Sequence, residues 1–340
     1  MKRIGNLYEQ IITIDNLRLA DEKARRGKLK TYGVRHHDKN REANIVALHE
    51  MLKNKTYKTS EYERFTIYEP KERIVFRLPY YPDRIVHHAI MNILEPIWMK
   101  VFTHNTYSCV KKRGIEGCAR QVDKIIKKYK GKPLYCLKID IKKFYPSIDH
   151  GVLKRIVRKK IKDKDLLWLL DEIIDSAEGL PIGNYLSQFL ANLYLAYFMH
   201  YVNEVLKLDA TEYADDICFF SDSKETLHEA LQEARYYLGN LKLEIKGNHQ
   251  IFPIATNRYD KSGRGLDYVG YKFYREQKLM RKGIKKNLCR RVKALNESDR
   301  KLSAEEYKQE ICSWLGWAQH SDSKHLLKTI IPQYYYDSIL

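Results

Sequence analysis

The sequence predicts an α+β fold built on antiparallel strands, and three observations carry that reading. Leu134–Ile141 is a short apolar run that ends in an aspartate. Thr211–Phe220 reads as a β-hairpin centred on the adjacent pair Asp215-Asp216. Long stretches of helical spacing lie on both sides. A doubly wound parallel sheet would not bring acidic residues together on antiparallel strands, so the α+β class is preferred.

The elements follow in order. Residues 1–60 read as helices, with apolar positions at helical spacing in Ala43–Leu52. Residues 64–78 alternate like two strands around a turn at Glu69-Pro70-Lys71. Residues 82–103, 117–130 and 151–177 are helical, and Ser187–Val202 is apolar enough for a buried helix. After the hairpin come a helix at Lys224–Leu238 and strands near Leu241–Ile245 and Asp267–Phe273. Basic helices run from Ile284 onward.

Composition narrows the function. The 340 residues carry 62 Lys+Arg against 43 Asp+Glu, a formal net charge of +19, which attracts polyanions and above all nucleic acid. No apolar run is long enough to span a bilayer, and the N-terminus lacks the apolar core of a signal peptide, so a cytoplasmic protein is expected. The six cysteines include no CxxC pair, which argues against a zinc ribbon or finger, and they are expected reduced and mostly in the core.

The carboxylates carry the chemistry. An Asp-Asp pair is by itself an ordinary acidic turn. Here a second acidic site, Asp140, ends an apolar strand, where a carboxylate is costly to bury unless paired or metal-bound. If that strand lies beside the hairpin, Asp140 and Asp215 can share two divalent ions. Such a pair clamps the attacking and leaving oxygens of an in-line phosphoryl transfer.

The Tyr213-Ala214-Asp215-Asp216 box, the Asp140-Ile141-Lys142-Lys143-Phe144-Tyr145 box and the Gly179–Gln188 segment between them resemble the palm motifs of reverse transcriptases. Lys71-Glu72-Arg73-Ile74 and Asp83–His88 resemble the fingers motifs of the same family. The resemblance runs from about residue 60 to the end. It implies a right-hand polymerase: N-terminal helices and fingers over 1–130, palm over 131–275 with fingers helices inserted around 151–180, and a helical thumb over 276–340.

It also implies roles. Asp140, Asp215 and Asp216 would be catalytic, with Asp140, the Ile141 carbonyl, Asp215 and Asp216 holding two Mg²⁺ ions (Mn²⁺ a substitute). Lys71, Arg73, Phe144, Tyr145, Ile182, Gly183 and Gln188 would bind the nucleotide. Of these, Lys71 and Arg73 would grip the triphosphate, and Tyr145 would lie under the sugar and exclude a 2′-hydroxyl. Gly183 would allow backbone close to a base or sugar. Tyr213, Tyr268, Gly270, Lys285, Lys286 and Arg290 would contact primer and template. Asp83-Arg84 is expected as a structural ion pair, and His87 and His88 as helix residues rather than ligands. Relatives carry a lysine after the hairpin helix, proposed to protonate pyrophosphate. Lys246 is near that place but out of clear register, and no general acid is assigned.

An aliphatic Ile182 before Gly183, and Ser187-Gln188 at the end of that motif, look like the enzymes of diversity-generating retroelements. So do the opening NLYEQIITIDNL and the closing SWLGWAQHSDSKHLL. That implies error-prone copying of a template-repeat RNA opposite adenines, cDNA that rewrites a target gene, and a basic oligomeric accessory protein as partner, in a bacterial or phage-infected cell. The partners expected are template RNA, nascent cDNA and dNTPs, with no membrane. No RNase H, protease or integrase segment is expected beyond the thumb. Two alternatives stay open: another prokaryotic reverse transcriptase (retron, phage-defence or group II intron type), and a catalytically silent, maturase-like RNA scaffold.

Overall fold

The computed structural model describes residues 2–68, 72–298, 300 and 302–339. The chain divides into two compact units, each assembled from three segments: residues 1–109, 140–207 and 233–247 in the first, and residues 110–139, 208–232 and 248–340 in the second.

The first unit is mainly helical. Helices Ile14–Ala24 and Ile85–Met99 pack together, and Asn16 Nδ2 donates to the Ala89 carbonyl at 3.1 Å between them. Helix Tyr185–Glu204 is apolar around most of its circumference, and its residues from Leu186 to Val202 are largely buried. The expected helix over 151–177 is two helices, His150–Lys160 and Lys164–Asp175. Asp163 begins the second, taking the N–H groups of Asp165 and Leu166 at 3.2 Å, and its other oxygen takes the Leu7 and Tyr8 N–H groups. One carboxylate thus starts this helix and fastens the N-terminal segment to it.

The unit's hairpin pairs β1 (Glu63–Ile67) with β2 (Arg73–Arg77) in the register Glu63↔Arg77 to Ile67↔Arg73. The expected turn Glu69-Pro70-Lys71, and with it the candidate Lys71, lies outside the described residues.

The second unit holds a four-stranded sheet in the order β4-β5-β3-β6. Its strands are β3 (Tyr135–Asp140), β4 (Asp209–Tyr213), β5 (Asp216–Ser221) and β6 (Gln250–Pro253). β4 and β5 form the expected hairpin, Asp209↔Phe220 to Tyr213↔Asp216. β3 also pairs antiparallel with β6, Tyr135↔Pro253 to Lys138↔Gln250. A second, three-stranded sheet is formed by β7 (Leu266–Tyr268), β8 (Tyr271–Phe273) and β9 (Lys278–Met280).

Four helices follow: Lys282–Asn296, Ala304–Gln319, Lys324–Ile330 and Gln333–Ile339. They share a core of Leu288, Val292, Tyr307, Ile311, Leu315 and Leu327. Ser303 and Glu306 form a capping box on the second of them.

The expected strand at Leu241–Ile245 does not form. The end of helix Lys224–Asn240 uses its donors first: Lys242 N–H reaches the Gly239 carbonyl at 2.8 Å and Leu243 N–H the Leu238 carbonyl at 2.9 Å. Only an isolated bridge, Ile141↔Ile245, remains of it. Three cysteines are buried (Cys118, Cys136, Cys218), and Cys109 and Cys312 are exposed, so core placement holds for half of them. No described helix is long and apolar enough to cross a membrane.

Candidate active site

Asp215 and Asp216 lie in the second unit, and Asp140, the last residue of β3, opens a segment of the first. Asp216 is the first residue of β5, and β5 is the neighbour of β3, whose last residue is Asp140. Ala214 and Asp215 make the two-residue turn between β4 and β5. Ala214 has φ +56°, a left-handed conformation that costs a non-glycine residue about 1 kcal/mol or more. The turn is partly exposed, while Ile217–Ser221 behind it are buried, so a rigid strand presents a strained acidic tip.

Two lysines neutralise these carboxylates. Lys138 Nζ stands 3.0 Å from Asp216 Oδ2. It also donates to the Asp267 carbonyl at 2.8 Å and lies over the Tyr268 ring, 5.4 Å from its centroid. Burial is the largest single influence and works against the charge on Lys138, yet Asp216, Cys218 and Asp267 together raise the lysine above its ordinary pKa. In the first unit, Lys246 makes an ion pair with Asp140 Oδ1, and its N–H donates to the Asp140 carbonyl at 2.8 Å. Lys246, left without a role by sequence register, is therefore in contact with Asp140. Lys138 was missed, although strand alternation puts positions 138 and 140 on one face of β3.

Among the described residues, no three His, Cys, Asp or Glu side chains stand together as a ready ligand cluster. Asp140, Asp215 and Asp216 each singly offer the oxygen donors that a hard divalent ion prefers. The groups are carboxylate oxygens, and two of the three already hold a cationic ammonium.

The nucleotide candidates belong to the first unit. Arg73 opens β2 and is exposed. Phe144 is buried, and half-buried Tyr145 meets it edge-on at 5.6 Å between centroids. The Tyr145 carbonyl accepts the Leu180 N–H at 2.9 Å, which fastens this box to the Gly179–Gln188 segment. Gly183 has φ +114°, and a Cβ there would lie 2.5 Å from the Phe76 carbonyl. The close approach expected of Gly183 is thus made to the β2 main chain. Beside it the Phe76 N–H donates to the Ile182 carbonyl at 2.8 Å. Ile182 and Gln188 are half-buried, and Gln188 lies in the first turn of helix Tyr185–Glu204.

Two primer-side candidates, Tyr268 and Gly270, are buried. Tyr268 is completely buried, and its hydroxyl donates to the Asp216 carbonyl at 3.0 Å, at the start of β5. Gly270 closes the β7–β8 turn at φ +85°, and the space of its missing side chain is filled by the Trp317 ring. Tyr213 ends β4, half-buried. Lys285, Lys286 and Arg290 are exposed on helix Lys282–Asn296, opposite buried Leu288 and Val292.

The Asp83–Arg84 ion pair is replaced by other bonds. Asp83 is buried and accepts Tyr57 Oη–H at 2.8 Å and Ser60 N–H at 3.1 Å. His87 is buried within its helix, and His88 stacks on Tyr185 with centroids 4.3 Å apart.

Residues 69–272 match the family described as "Reverse transcriptase (RNA-dependent DNA polymerase)". The chain is 26% identical over 153 residues to Protein YkfC of Escherichia coli (strain K12), covering 41% of this chain and 40% of that protein. It is also 26% identical over 167 residues to Group II intron-encoded protein LtrA of Lactococcus lactis subsp. cremoris, covering 45% of this chain and 27% of that protein. The chain therefore spans less than half the length of either relative. Among solved structures, apo telomerase from Candida Tropicalis aligns over 83% of this chain and 60% of that one, with a TM-score of 0.50 and 10% identity. At that identity the likeness speaks for the fold alone.

Proposed function

Because this chain belongs to the reverse transcriptase (RNA-dependent DNA polymerase) family, with an α+β right-hand polymerase fold, we propose that it copies RNA into DNA with Asp140, Asp215 and Asp216 as its catalytic carboxylates. The observation that carries this reading is the sheet order: β3, ending in Asp140, is the neighbour of β5, which begins at Asp216 and follows the Asp215 turn.

On this reading the three carboxylates and the Ile141 carbonyl hold two Mg²⁺ ions, and the ion pairs with Lys138 and Lys246 mark where positive charge is accepted. Bound magnesium would acidify the primer 3′-hydroxyl and neutralise the leaving pyrophosphate. Lys71 and Arg73 grip the triphosphate. Tyr145, fixed by its Phe144 contact and by the Leu180 N–H, bars a 2′-hydroxyl. Lys285, Lys286 and Arg290 bear on the nucleic acid backbone. The division into N-terminal helices and fingers (1–130), palm (131–275) and thumb (276–340) belongs to the same reading.

The narrower role we favour is that of a diversity-generating retroelement enzyme, working with a template-repeat RNA and a basic oligomeric accessory protein. It is supported by Ile182, which offers no side-chain hydrogen bond where a polar residue could orient a base. Similarity to LtrA favours a second reading, a group II intron type of enzyme.

The test is dNTP polymerisation on a primed RNA with Mg²⁺, with products sequenced. The Asp215→Asn variant is expected to lose at least about a hundredfold in rate. Errors concentrated opposite adenines support the retroelement role, and accurate products remove it. Polymerisation undiminished in Asp215→Asn would overturn the catalytic assignment.

A further inference from the structure

Lys138, a polar group of the second unit to which the proposed chemistry gives no catalytic role, is engaged on several sides. It sits mid-strand in β3, where an ammonium is expensive to desolvate unless its donors are met. Its Nζ meets the Asp216 carboxylate at 3.0 Å and the Asp267 carbonyl at 2.8 Å. The Tyr268 ring lies beside it, and the Tyr268 hydroxyl holds the Asp216 main-chain carbonyl at 3.0 Å. Asp267 and Tyr268 end β7, immediately before the tight Val269-Gly270 turn. Asp216 is thus gripped at both its side chain and its backbone. One grip is Lys138, and the other is the hairpin that Lys138 itself fastens.

We propose that Lys138 is a positioning residue: its ammonium engages Asp216 as an ion-pair partner in competition with divalent metal, and it fastens the β7–β8 hairpin to the base of the catalytic turn. The inference rests on the metal-binding role proposed for this carboxylate set and adds what tunes it. Metal affinity at this end of the sheet and anchoring of the β7–β8 hairpin then depend on one side chain. The charge does the first, and the donor to the Asp267 carbonyl does the second.

The experiment uses the full chain without nucleic acid. Mn²⁺ binding is titrated by the electron paramagnetic resonance of the free ion, and hydrogen exchange is followed over Leu266–Phe273. Lys138→Met removes a positive charge from the side of Asp216 and is expected to bind Mn²⁺ about fivefold or more tightly, with faster exchange in the hairpin. Lys138→Arg keeps charge and donors and is expected to match the parent in both. Lys138→Gln keeps a donor for the Asp267 carbonyl without the charge, so it is expected to tighten Mn²⁺ binding with little change in exchange. It also serves if the methionine variant fails to fold. Mn²⁺ affinity within about twofold of the parent in both uncharged variants would overturn the competition, and unchanged hairpin exchange in Lys138→Met would overturn the anchoring. If the parent and Asp215→Asn bound Mn²⁺ equally weakly, the metal assignment itself would fall, and the inference with it.

Discussion

Replacing Gly183 by alanine should do far more damage than removing two hydrogens suggests. At φ +114° the residue occupies a region that side chains rarely enter, which costs about 1–3 kcal/mol. The new Cβ would also lie 2.5 Å from the Phe76 carbonyl and 3.0 Å from Val75 Cγ1. A strand carbonyl cannot swing aside as a lysine tip can, so the loop must move. Moving it lengthens the 2.8 Å bond from Phe76 N–H to the Ile182 carbonyl, worth about 1 kcal/mol. The sum is a destabilisation of about 3 kcal/mol, concentrated where the Ile182–Gln188 segment meets β2. Urea unfolding followed through Trp98 and Trp168, both in the first unit, measures it. Gly239→Ala is the control: nothing lies within 4 Å of its Cβ position and it is helical, so a small gain is expected. If Arg73 grips the triphosphate as proposed, then, because it shares β2 with Phe76, the dNTP KM of Gly183→Ala should also rise, by about tenfold or more. A Gly183→Ala protein within about 0.5 kcal/mol of the parent would refute the reasoning, since neither strain nor clash would then be real.

Neutralising Lys285, Lys286 and Arg290 together as glutamines should flatten the salt dependence of nucleic-acid binding. At about 0.7–0.9 per phosphate contact, the slope of log K against log salt should fall by about 2–3, measured by anisotropy with labelled RNA; an unchanged slope would remove this helix face from the interface. The pH dependence of stability should carry the signature of His87, which burial pushes down to about 4. A depressed histidine is neutral when folded, whereas the unfolded chain takes up the proton below about pH 6.5. Stability is therefore lost as pH falls from about 6.5 to 4, by about 3 kcal/mol from this residue. His87→Leu should show a shallower slope across that window, whatever its absolute stability, and an equal slope would place the titration elsewhere.

Much of the site was legible in the chain because its signals are local. An apolar run ending in Asp140, and β-favouring residues around Tyr213–Asp216, each depend on one or two neighbouring elements, and both became strands at nearly the expected bounds. Helix Tyr185–Glu204, a long apolar run on nearly every side, was legible for the same reason. The failures are non-local. Leu241–Ile245 has the composition of a strand, but its donors were claimed by the end of the preceding helix. β6 and β9 are three or four residues long and exist through their partners, with little pattern of their own.

The same boundary runs through the function. The sequence by itself determined which carboxylates could meet, that the chain attracts polyanions, and that its motifs resemble a polymerase palm, because residue type and spacing suffice for each. Only the tertiary structure decided what those residues touch. It gave Lys138 to Asp216 and Lys246 to Asp140, buried Tyr268 against the Asp216 main chain, and set Gly183 against β2 and Gly270 against Trp317. Each of these contacts joins residues far apart in the chain. Their partners are chosen by strand order and packing, which no window of neighbouring residues contains.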